Sequence, residues 1–134
     1  MSQSTRHDIK LEKRKSLYLR EISVIVQALA AQEPDVADIY VTRVEFSADT
    51  GICFIYFASF VPDAESSYTK ALDILKLYKG SMRKELARSI NARYTPELVF
   101  MYDEKKEKER RINELLDKVQ EELQDDESGD ITEE

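Results

Sequence analysis

Only one cysteine occurs in the 134 residues, Cys53, and tryptophan is absent. A lone cysteine excludes an intrachain disulfide framework and a multi-cysteine zinc site. Histidine is as scarce: His7 stands alone, in a terminus expected to fray. Glycine and proline number three each, so every one of them is an informative interruption. No apolar run approaches the roughly 20 residues of a membrane span, and no membrane is expected among the partners. The opening Met1-Ser2-Gln3-Ser4-Thr5-Arg6-His7 has no apolar segment behind it and does not read as a secretory signal. A cytoplasmic address is expected. No stretch offers phosphate-loop lysine chemistry, a nucleophile elbow or a metal-ligand cluster. The chain is therefore expected not to be an enzyme, and to use no cofactor and no metal.

Charge is what the chain has in quantity. Charged residues make up 35% of it and the net charge is −7, which taken whole argues against a nucleic-acid partner. The distribution reverses that impression. Residues 119–134 hold eight acids and no base, which leaves +1 for residues 1–118. Residues 1–20 hold six bases and two acids, and residues 70–93 hold seven bases and two acids. Residues 33–69 hold seven acids and one base. The body is polarised, so bulk charge misleads. An apolar share of 42% supplies the core of one modest domain.

Residues 1–8 are expected to be a flexible N-terminus. Tyr18, Ile22, Ile25, Val26 and Leu29 recur at spacings of three and four, which predicts a helix over 9–32 with a basic first half. Glu33-Pro34-Asp35 stops it, because proline disfavours helical geometry at the residue before it. Residues 38–47 and 51–61 are rich in β-branched and aromatic side chains, and Asp49-Thr50-Gly51 marks a hairpin turn between them. The second strand is apolar on both faces, as a central strand would be. Pro62-Asp63 opens the next helix, whose stripe is Tyr68, Ala71, Leu72, Leu75 and Tyr78; after Gly80 it resumes with Met82, Leu86 and Ile90. Pro96 to Tyr102 reads as a third strand, with proline at its tolerated first position. Asp103 then caps a helix that opens on alternating charge and continues with Ile112, Leu115, Leu116, Val119 and Leu123.

The order is α-β-β-α-(kink)-α-β-α, an α+β class fold with a three-stranded mixed sheet, because two helices between strands two and three permit a parallel pairing. The expected organisation is a flexible segment 1–8, a binding domain 9–103, a charged C-terminal helix 104–123 and an acidic disordered tail 124–134. That tail is expected to solubilise the chain.

Gly80 is the focus of the expected site. Glycine inside a helix costs roughly 1 kcal/mol relative to alanine, so a bend or a close backbone approach is expected there. Residues after a break would offer free N–H groups to phosphate, with Ser81 as the cap. Lys79, Arg83, Lys84, Arg88 and Arg93 would neutralise phosphates, with few acids interleaved. Lys13, Arg14 and Arg20 could extend the footprint, although a solvated helix surface explains them equally well. Tyr94, beside Arg93, is the aromatic singled out for base stacking. The bland reading of Gly80 is a kink needed only for packing.

Several motifs resemble the ribosome-binding factor A family. Arg93-x-x-Pro96-Glu97-Leu98-x-Phe100-x-x-Asp103 is similar to that family's closing strand. Val41-Thr42-x-Val44-Glu45-Phe46-Ser47-x-Asp49 is similar to its first strand and hairpin turn, and Arg20-Glu21-Ile22-Ser23 to Gln27 to its first helix. Gly80-x-x-Arg83 resembles the join between its central helices. The resemblance runs from about Lys13 to Val119. Two positions depart from it: Tyr78 replaces the alanine two residues before the glycine, and Glu33-Pro34-Asp35 replaces Asp-Pro-Arg, so that loop is not expected to contact phosphate. The resemblance implies a type II KH-like fold, binding to the immature 30S subunit, help in maturing 16S rRNA, and no catalysis. A monomer is expected, with ribosomal proteins as further partners. The alternative is a protein-interaction module that docks on basic ribosomal or other proteins through its acidic hairpin and charged C-terminal helix.

Overall fold

A computed structural model describes residues 2–61 and 64–133. Its elements are α1 (Ser2–Ala30), α2 (Pro34–Ala37), β1 (Ile39–Phe46), β2 (Ile52–Ser59), α3 (Ala64–Ser89), β3 (Glu97–Tyr102) and α4 (Glu104–Glu133). They form two compact units, Met1–Asp103 and Glu104–Glu134.

In the first unit the strand order is β1-β2-β3, antiparallel then parallel, which makes the mixed sheet expected from the chain. β2 is central, as its two apolar faces demanded. Ile55, Phe57 and Cys53 are fully buried on it, and Val44, Leu98 and Phe100 flank them on the neighbouring strands. Helices α1 and α3 cover this face. Tyr18, Ile22, Val26 and Leu29 line the inner side of α1; Ala71, Leu75, Met82 and Leu86 line that of α3. Each of the valine, leucine, isoleucine and methionine side chains contributes roughly 1.5–3 kcal/mol by leaving water, and Ala71 less. A bulge between Val41 and Arg43 shifts the β1 register. The extra residue, Thr42, donates its hydroxyl to buried Asp103 at 2.6 Å.

The hairpin turn is held by two side chains: the Ser47 hydroxyl accepts from the Ile52 N–H at 2.9 Å, and Asp49 binds both sides of the turn. Asp49 Oδ1 accepts from the Gly51 N–H at 2.9 Å and from the Ser47 hydroxyl at 2.8 Å. The left-handed residue is Thr50, at φ 58°, and not the glycine beside it.

Four expectations are corrected. α1 begins at Ser2 and not at residue 9; no proline or glycine interrupts it before Ala30. A short helix, α2, follows Pro34, which sits in the first turn where its missing N–H costs nothing. The acidic stretch from Gln124 continues α4 instead of leaving it. Most important, α3 passes through Gly80 as one helix, and no break exists there. Leu75, Met82 and Leu86 are spaced by seven and four, so the stripe keeps its phase across the glycine. Burying three such side chains outweighs the ~1 kcal/mol cost of glycine. Pro62 and Asp63, expected to open this helix, lie outside the described residues, as do the side chains of residues 125–134.

Candidate nucleic-acid interface

The basic segments are far apart in the chain and meet at one end of the sheet. The register pairs Phe46 with Cys53 and Ile52 with Glu97, so the hairpin turn and the start of β3 share that end. The Glu97 N–H donates to the Gly51 carbonyl at 2.9 Å and ties them together. α1 brings its first half here: the Tyr18 ring meets Phe46 edge-on at 5.0 Å, and the Arg14 guanidinium lies 5.9 Å from the same ring. α3 brings its second half, because Arg83 reaches the connector just before β3. The opposite end carries Asp35, Asp38 and Glu65, while Asp49, Glu97 and Glu45 lie among the bases, Glu45 paired with Lys15 at 2.8 Å.

The candidate residues do different work. Arg83 is a clasp. Its Nε donates to the Pro96 carbonyl at 3.1 Å and its Nη2 to the Thr95 carbonyl at 3.0 Å, with Glu97 at 3.5 Å from Nη1. That guanidinium secures the connector between α3 and β3 and has little left for phosphate. Arg88 pairs with Glu85 at 3.2 Å, one turn away on an exposed face. Lys79 sits 5.3 Å from the Phe100 ring, half-buried at the flank of α3. Arg20 is exposed, 3.8 Å from Glu21. Lys13 and Lys84 are exposed with no carboxylate partner among the described residues. Arg93 is exposed and lies 5.4 Å from the ring of Tyr94, itself 75% exposed. A guanidinium beside an open aromatic face suits an unstacked base.

Gly80 and Ser81 fail as an anion cradle. Both are exposed residues inside α3, and helix N–H groups at interior positions are already bonded to the preceding turn. A side-chain carbon added to Gly80 would meet nothing within 4 Å, so neither packing nor backbone geometry requires the glycine.

Beside Arg14, a candidate already read from the chain, the structure sets Lys10 and Leu11, which were not singled out as site residues. His7, Lys10, Leu11 and Arg14 of α1 face Ser47, Ala48 and Thr50 of the turn across a groove of about 350 Å³. Lys10 and Arg14 are four apart, one helical turn, and that spacing was the available signal. Asn91, at φ 38°, ends α3 in a left-handed turn and sets where Arg93 and Tyr94 emerge.

Tyr78 and Glu33, 45 residues apart in the chain, meet each other. The Tyr78 hydroxyl donates to Glu33 Oε1 at 2.9 Å, joining α3 to the residue that precedes α2. That bond and the adjacent negative charge push the Tyr78 phenol above its ordinary range. The unit Glu104–Glu134 is a separate charged helix. Within it Glu107 bonds Arg110 and lies 3.5 Å from Arg111. Ile112, Leu115, Leu116, Val119 and Leu123 are exposed along it.

Comparison with known proteins points one way. The family profile described as ribosome-binding factor A matches residues 10–116. Ribosome-binding factor A of Halothermothrix orenii is 34% identical over 82% of this chain and 88% of its own length. That of Azoarcus is 34% identical over 73% of this chain and 75% of its own. In fold the chain is similar to the crystal structure of ribosome-binding factor A from Thermus thermophilus. The TM-score is 0.59 at 23% identity, over 69% of this chain and 94% of that one. A second Thermus thermophilus model, fitted into an electron cryo-microscopy map of a 30S complex, gives 0.54 at 24% identity, over 65% of this chain and 88% of that one.

Proposed function

The chain belongs to the ribosome-binding factor A family, and from that premise we propose that it is a non-catalytic assembly factor of the small ribosomal subunit. It binds the immature 30S particle and assists maturation of 16S rRNA in the cytoplasm, as a monomer. The observation that carries this reading is the convergence at one end of the sheet. Lys10 and Arg14 of α1 line a groove with the hairpin turn, and Arg83 ties α3, beside Lys84 in the chain, to the connector that carries Arg93 and Tyr94 towards β3. Phosphate contacts from these bases supply affinity and steep salt dependence, and the Tyr94 ring supplies a stacking surface for one exposed base. The mechanism is differential binding. A factor that prefers an immature rRNA arrangement stabilises it, and is released when maturation removes that arrangement.

Binding to purified immature small subunits across a salt series tests the reading. The variants to compare are Lys84→Glu and Arg93→Glu, because Arg83 holds the fold together. Each charge reversal is expected to weaken binding and flatten the salt slope by about one unit of log K against log salt. Unchanged affinity and slope in both variants would sink the proposal. Docking on a basic protein through the acidic hairpin is not favoured as the main activity, since the basic end is the better-built surface.

A further inference from the structure

We propose a second binding site, distinct from the basic end: the outer edge of β1 is a receptor for an extended, basic peptide segment of a protein partner. Among the described residues β1 pairs only with β2, and no strand lies beside its other edge. The Phe60 N–H donates to the Asp38 carbonyl and the Ser47 N–H to the Ile52 carbonyl. Alternation from these two bonds turns the N–H and C=O groups of Ile39, Val41 and Val44 away from β2. A row of unpaired backbone groups is a template for another strand unless something covers it.

A groove of about 400 Å³ runs along this edge. Its walls are Val26 and Ala30 of α1 on one side and Tyr40 and Phe60 on the other, with Ser23 and Gln27 as polar lining. Side chains from both faces of a strand can line one groove only where the strand is free. Phe60 is 65% exposed, and its ring stacks on Tyr40 at 4.5 Å, so a rigid aromatic shelf stands open to solvent. Backbone pairing along β1 with one apolar side chain seated against this shelf is the geometry of strand addition.

Charge chooses the occupant. Asp35 and Asp38 precede β1, beside the groove and not in its lining, while Glu45 farther along the strand is already paired with Lys15 at 2.8 Å. The single base of that segment, Arg43, is engaged: its guanidinium lies 4.0 Å from the Tyr56 ring and 3.5 Å from Asp103. No lysine or arginine lines the groove. A second copy of the chain is disfavoured, because β1-to-β1 pairing would set the same carboxylates against each other. An extended segment with alternating basic and apolar residues fits both the edge and the rim.

The probe is a blocked hexapeptide of alternating lysine and valine, added to the full-length protein and followed by amide NMR and by calorimetry. Binding is expected to perturb the amides of Ile39–Val44 and to slow exchange at the N–H groups of Ile39, Val41 and Val44. The same peptide with glutamate for lysine is expected to bind at least about tenfold more weakly, and so is the lysine peptide with alternate amides N-methylated. Gln27→Trp, which fills the groove from an exposed position, and Phe60→Ser, which removes the shelf, are each expected to weaken binding by about tenfold while leaving small-subunit binding unchanged. Equal binding of the acidic peptide, perturbations confined to other surfaces, or sedimentation showing a dimer paired through β1 would each overturn the proposal. The measurement contains no RNA, so its failure is separate from any failure at the basic end.

Discussion

Gly80 changes meaning between chain and fold. Its position inside a helical stripe suggests a break, yet the helix continues and the space beyond its α-carbon is open. Gly80→Ala is therefore expected to stabilise the protein by about 0.5–1 kcal/mol, read as a rise in urea midpoint at constant slope. Destabilisation would mean that the glycine backbone is under a constraint absent from this structure. Arg83 moves in the opposite direction, from expected phosphate ligand to structural clasp. Arg83→Ala removes two donors from the Thr95 and Pro96 carbonyls and is expected to cost about 1–2 kcal/mol, while Lys84→Ala next door costs almost nothing. Asp49 is the titrating residue to watch. The Gly51 N–H and then the Ser47 hydroxyl, both bonded to its carboxylate, pull it below its ordinary value of 3.8. A depressed carboxylate stabilises the fold above its unfolded value, and that contribution disappears as pH falls through the folded one. The Gly51 amide resonance is expected to titrate with a midpoint below 3.8, and in Asp49→Asn that transition is expected to vanish. Cys53 sits at the other extreme: burial pushes its thiol up to about 12, so it packs as an apolar group and does not react.

At the scale of the element, periodicity is what made the fold legible. Tyr18, Ile22, Val26 and Leu29 announce the buried side of α1, and Ile22→Ala is expected to cost about 2–5 kcal/mol in denaturant unfolding, since its site is completely enclosed. The same reasoning located both hairpin strands, the central position of β2 and the parallel partner β3. It misplaced elements where propensity and packing disagreed. A glycine lowers helix propensity locally, but Leu75, Met82 and Leu86 bury on one side of α3 and carry the helix across it. Nothing in the pattern near Ser2 or Gln124 forbids helix, and polar composition alone suggested looseness. α2 was hidden because Pro34 was read as a stop for α1; the same residue also starts a new turn. The candidate site was legible as composition and not as geometry. The bases of α1 and α3 could be counted in the chain, but only the register of Ile52 with Glu97 shows that both sets share one end. That Arg83 is spent on backbone carbonyls is a tertiary fact with no local signal at all.

For the whole molecule the decisive quantity is where charge sits, since the chain is acidic overall and is proposed to bind RNA. Seven of the eight acids of residues 119–134 fall within the distal part of α4, and the bases of α1 and α3 belong to the other unit. A negative field is expected to oppose indiscriminate attraction to RNA. Removing residues 124–134 takes away six acids and brings the net charge from −7 to −1. The truncated protein is expected to bind an unrelated RNA such as poly(U) several-fold more tightly at low salt, while its affinity for immature small subunits changes little. Screening supplies the internal control. The Debye length shrinks from about 30 Å at 0.01 M to about 8 Å at 0.15 M and about 3 Å at 1 M, so the gain for poly(U) must fade along that series. Filter binding at each concentration measures it. A gain that survived high salt would show that the removed segment acts by occupying the RNA surface and not through its field, and equal gains for both RNAs would show that it contributes nothing to discrimination.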